Sequence, residues 1–124
     1  MPATLEPRAG KAVGTLQPQK AEHTTEMHNF CAEWSRSKDF QAFSNLIRFC
    51  LRNQMMCLAD FRDYFGIMPA AVIMWALGSM EPPDPVQKEV VEFIEHRAPF
   101  LPVRKPRPAE AAALLRFYRQ LPSL

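Results

Sequence analysis

Four glycines in 124 residues leave few places where the backbone can turn left-handed without strain. Cysteine is also sparse. Cys31, Cys50 and Cys57 are odd in number, lack CxxC spacing and sit in apolar patterns. That argues against a disulfide framework and for buried free thiols in a reducing cytoplasm. No apolar run reaches the ~20 residues of a membrane-spanning helix. The run from Gly66 to Met80 is interrupted by Pro69. The first residues lack the apolar stretch of a secretory leader, so a cytoplasmic chain with no membrane partner is expected. There is no Gly-rich phosphate loop and no Ser nucleophile motif. His23, His28 and His96 lie far apart, and only Cys31 neighbours His28. The expectation is therefore a non-enzyme with no catalytic residue, no metal and no cofactor.

What is abundant is apolar residues, at 48%, and proline, at 12 residues. The prolines avoid the stretch from Lys20 to Met68, so helices can run through the middle of the chain. Charge is segregated. From Met27 to Glu95 there are six basic and nine acidic residues; from His96 onward, six basic residues face Glu110 alone. An acidic core with a basic tail is implied, although the whole chain carries only +2.

Residues 1–23 mix Pro, Gly, Gln and alternating charge without an apolar period and read as a disordered tail. Thr24 or Thr25 then caps a short helix with Met27, Phe30, Cys31 and Trp34 on one face. The polar stretch Ser35 to Asp39 breaks it. Phe40, Phe43, Leu46, Ile47, Cys50 and Leu51 give a clear helical stripe that ends at Asn53. Leu58, Phe61, Tyr64 and Phe65 make a third helix, closed by Gly66. Pro69 opens a fourth, which stops at Gly78. After Pro82 and Pro83, Asp84 caps a fifth helix with Pro85 at its first position. Pro99 to Pro108, with four prolines and three basic residues, reads as an extended basic arm. Ala109 to Gln120 forms a last helix, with Leu114, Leu115, Tyr118 and Leu121 on one side. The expected architecture is all-α, with five to six helices: a tail over 1–23, a compact domain over 24–98, and an arm with a terminal helix over 99–124.

The segment from Gly66 to Gly78, followed by Pro82, resembles the Cro-like, phage-repressor family of helix-turn-helix proteins. Gly66 and Ile67 fall in the turn, Pro69 starts the second helix, and Val72, Trp75 and Gly78 follow at three-residue intervals. The resemblance spans roughly Phe40 to Arg97. It implies a helix-turn-helix in which Gly66, Pro69, Val72, Trp75, Gly78 and Pro82 are structural. It further implies a transcription regulator that binds double-stranded DNA, with its second helix in the major groove. A single small module buries little surface, so a homodimer on paired half-sites is expected. The groove-facing positions would be Met68, Ala70, Ala71, Ile73 and Met74. Family members usually carry Ser, Thr, Gln, Asn or Arg there; none of these five can make the bidentate base contacts of direct readout. Arg62 likewise stands where the family usually has Ala. Arg104, Lys105 and Arg107 could add backbone or minor-groove contacts, and Arg48, Arg52 and Lys88 phosphate contacts. The apolar helix also admits a second reading. A Met-rich stripe is a common adaptable protein interface, unless the chain's own C-terminal helix covers it.

Overall fold

The computed structural model describes residues 16–105 and 107–120, without the side chain of Tyr118. Among these residues there are six α-helices and no strand. They are α1 (Pro18–Ser37), α2 (Phe40–Arg52), α3 (Leu58–Phe65), α4 (Pro69–Leu77), α5 (Asp84–Arg97) and α6 (Pro108–Gln120). A 3-10 turn, Ala98–Phe100, follows α5. None of the described helices is long and apolar enough to cross a membrane.

The first helix starts earlier than expected. Pro18 stands in its first turn, where a missing N–H is harmless, so residues 18–23 are helical rather than tail. Residues 1–15 of the expected tail lie outside the described residues. Thr24 is no cap; its hydroxyl donates to the Lys20 carbonyl inside the helix. The helix also runs through Ser35 and Arg36. It ends where Lys38 turns left-handed at φ 55° and donates its N–H to the Trp34 carbonyl. Asp39 then caps α2 by accepting from the Gln41 N–H.

Lys20 explains the extra turn of helix. Its side chain is 1% exposed, and its Nζ donates to the carbonyls of Met55 (2.8 Å) and Ala98 (2.9 Å). One ammonium thus ties α1 to the loop after α2 and to the end of α5. Burial pulls its pKa below the ordinary value, while the Asp60 carboxylate opposes that shift. Nearby, the Gln17 N–H donates to the Pro99 carbonyl, so the start of the described chain lies against the 3-10 turn.

The core forms where α2 meets α1 and α4. Phe43, Leu46, Ile47 and Cys50 of α2 are fully buried, as its stripe predicts. They are joined by Met27 and Cys31 of α1, Phe61 of α3, Val72 of α4, and Val90 and Ile94 of α5. A polar relay fastens α5. Trp34 Nε1 donates to Gln87 Oε1 (3.0 Å), and Gln87 Nε2 donates to the Pro82 carbonyl (2.9 Å). Asp84 proves to be the first residue of α5 rather than its cap, which is Pro83. Its charge still favours the helix N-terminus.

The C-terminal region also differs from its expected face. Phe117 is fully buried, whereas Leu115 is 59% exposed. Leu114 is partly buried against the core, and the Tyr118 side chain and Leu121 lie outside the described residues. α6 meets the domain at α4.

Two outcomes follow from these buried groups. Lys20→Met removes a donor from the Met55 and Ala98 carbonyls; Ala98 keeps the Leu101 N–H, whereas Met55 is left unsatisfied, at about 1–3 kcal/mol. It should lower unfolding free energy by about 1–3 kcal/mol in urea titrations, with the helical spectrum kept at low denaturant. Burial also pushes the Cys31 thiol up to about 12 and raises those of Cys50 and Cys57. Above the ordinary thiol value of 9.0, the unfolded chain releases protons that the folded chain keeps, so stability should fall as pH rises from there. Lys20 works the opposite way below 10.5, but one amine stands against three thiols. The urea midpoint should therefore be lower at pH about 10 than at pH about 8.

Candidate functional site

α3 and α4 are short helices joined through Gly66, Ile67 and Met68. Gly66 sits at φ 70° and donates its N–H to the Arg62 carbonyl, closing α3. Gly78 closes α4 at φ 78°, with its N–H on the Trp75 carbonyl and the Ser79 N–H on the Met74 carbonyl. This is a Schellman arrangement, which reverses the chain toward Pro82. At both glycines an added Cβ would meet nothing within 4 Å, so the left-handed backbone is what favours glycine there.

α4 is fixed along one side. Val72, Trp75 and Ala76 are buried. The Trp75 ring meets Phe43 edge-on at 5.5 Å, and Ser44 Oγ donates to the Trp75 carbonyl at 2.6 Å. Pro69 stands in the first turn and Pro82 is buried under Gln87.

The residues expected to face a partner lie on the remaining surface of the same helix. Met68 is 67% exposed, Met74 41%, and Met80, just beyond the helix, 37%. Ala70 is exposed, and Ala71, Ile73 and Leu77 are half-buried. α6 leaves the three methionines open to solvent. α4 carries no cation, and its one side-chain donor is the indole N–H of the buried Trp75.

The basic residues behave differently from expectation. Arg104 is not a free arm: one Nη1 donates to both Asp60 Oδ1 and Asp63 Oδ2, each at 3.0 Å. Asp60 is 2% exposed and also accepts the Cys57 N–H at the start of α3, so Arg104 is a structural counter-ion. Its contact holds the Asp63 carboxyl below the ordinary carboxylate pKa. Arg62 reaches Glu110 of α6 at 3.5 Å and Asp63 at 3.4 Å, so its cation is paired at the α3–α6 contact. Arg48 is buried and bonds Asn45, with its Nε unpartnered, so it is not poised for a phosphate. Arg52, Lys88, Lys105 and Arg107 are exposed; Arg107 uses its backbone N–H on Glu110 Oε1. His28 bonds the Glu95 carbonyl, and Cys31 is buried in the core.

Beside α4 lies a groove that sequence inspection missed. Phe65, Ile67, Trp75, Met80, Pro82, Pro83 and Val86 line it, with Glu81 and Glu89 at its edge. Its volume is about 410 Å³. The spacing of α3, α4 and α5 shows each wall separately, but only packing brings them together.

No family model matches the chain, and no similar curated protein or solved structure was found.

Gly66→Ala should cost about 1–2 kcal/mol through its left-handed backbone alone. Gly66→Asn should cost less, because Asn tolerates that region. Thermal unfolding of the two variants checks the order.

Proposed function

We propose that this chain is a protein-interaction module built on a Cro-like helix-turn-helix scaffold, with α4 docking a partner protein instead of reading DNA. The observation that carries this reading is the solvent face of α4. It presents Met68, Met74 and, just beyond the helix, Met80, with no basic and no amide side chain. Base discrimination in the major groove relies on Arg, Lys, Asn or Gln pairs, and α4 has none. The carboxylates of the adjoining groove, Glu81 and Glu89, are exposed and would repel phosphate. Flexible thioethers suit a protein contact that must repack around its partner.

A second reading is a DNA-binding regulator acting as a homodimer. The exposed first turn of α4, with Met68 and Ala70, favours it, as do the exposed Lys105 and Arg107. Small apolar side chains can contact thymine methyls, though with little selectivity.

The two readings separate in a fluorescence-anisotropy titration of mixed-sequence duplex DNA. At about 50 mM salt the protein should show no saturable binding below about 10 µM. Tight binding that weakens steeply toward about 200 mM salt would overturn the interaction reading and restore the regulator.

A further inference from the structure

The groove beside α4 has a chemistry of its own. Its floor is apolar: Phe65 from the end of α3, Ile67 from the α3–α4 connection, Trp75 from α4, and Val86 from α5. Pro82 and Pro83 give one wall a fixed shape. Pro82 is further held by Gln87, which is held in turn by Trp34. Phe65 is braced from behind by Phe93, ring to ring at 5.0 Å. The groove is therefore pre-formed rather than a gap between loose side chains, and little ordering is needed on binding. Its volume of about 410 Å³ lies at the lower end of the ~300–1,000 Å³ range of ligand clefts. That suits a few side chains better than a large cofactor.

The charge around it is of one sign. Glu81 and Glu89 are its only ionisable lining residues, and both are exposed. Neither has an ion pair among the described residues. Two wet carboxylates beside an apolar slot select a ligand that brings an apolar anchor together with cations, and disfavour an acidic one. Nucleic acid fits the slot poorly, because its phosphates would face both glutamates.

We propose that this groove docks a linear segment of the partner protein, with an apolar or aromatic anchor in the slot and Arg or Lys beside it over Glu81 and Glu89. The inference rests on the interaction reading and specifies its partner. Met80 belongs to both surfaces, so the groove continues the exposed face of α4.

The test is a titration of the full chain, labelled at its methionine methyls and backbone and indole nitrogens, followed by NMR. The probes are acetyl-Arg-Leu-Phe-Leu-Arg-amide and its Glu-flanked counterpart. The basic peptide should shift Met80, Val86 and the Trp75 indole. It should bind about fivefold more tightly than the acidic one, a ratio in keeping with two rim charges. Glu81→Lys with Glu89→Lys, both exposed and away from the core, should reverse that preference. No shift in the groove, or equal binding of the two peptides, overturns the proposal. Shifts confined to Met68 and Met74 also overturn it while leaving the interaction reading intact. Duplex DNA that shifts Met68 and Met74 at low salt overturns the interaction reading itself, whatever the peptides do.

Discussion

A buried ammonium needs partners on every side, and the position of Lys20 organises three separate pieces of chain around that need. Its Nζ bonds the Met55 and Ala98 carbonyls, which lie 43 residues apart in sequence. The Met55 carbonyl belongs to an irregular segment, where helix geometry cannot satisfy it, and the Ala98 carbonyl shares Lys20 with the Leu101 N–H of the 3-10 turn. The first turns of α1 therefore hold the loop that precedes α3 and the exit of α5. Through that loop the placement of α3, and so of α4, is set from a helix that does not touch the candidate surface.

A second layer of charge follows the same logic. Asp60 is buried at the start of α3, where it closes the helix end and answers the nearby Lys20 and Arg104. Arg104 extends the pairing to Asp63, and Arg62 links α3 to Glu110 in α6. The basic tail and the acidic core are thus partly one neutralised assembly. Arg48 and Arg104, which look available for phosphate in a linear reading, are already engaged by Asn45 and by Asp60 with Asp63. What remains open on α4 is apolar, with carboxylates beside it.

Much of the fold was legible in the sequence. α2 announced itself through six apolar residues at helical spacing, and Gly66, Pro69 and Gly78 marked the ends of α3 and α4. The first half of α1 is not legible, because residues before Thr24 show no apolar period and the buried anchor among them is a lysine. Yet Lys20 lies on the stripe of Met27, Cys31 and Trp34, seven, eleven and fourteen residues before them, and Pro18 is a good helix start. The signal was present but carried by the wrong residue type. Arg104 misled for the opposite reason: a basic cluster among prolines looks free until its carboxylate partners, more than 40 residues away, are placed. Phe117 was passed over for Leu115 because an Ala-rich helix offers two apolar faces. The exposed face of α4 was visible from its composition, whereas the groove needed three elements and a loop to meet.

The amide of Gln87 accepts from Trp34 and donates to Pro82 with the two ends of one planar group. Such a group works as a gauge: it fixes the spacing between α1 and the proline wall of the groove, and it has only one orientation that serves both neighbours. The width of the slot is accordingly written into α1, a helix that contributes nothing to its lining. Chains sharing this scaffold could retune what the slot admits by changing a residue that no ligand would ever touch.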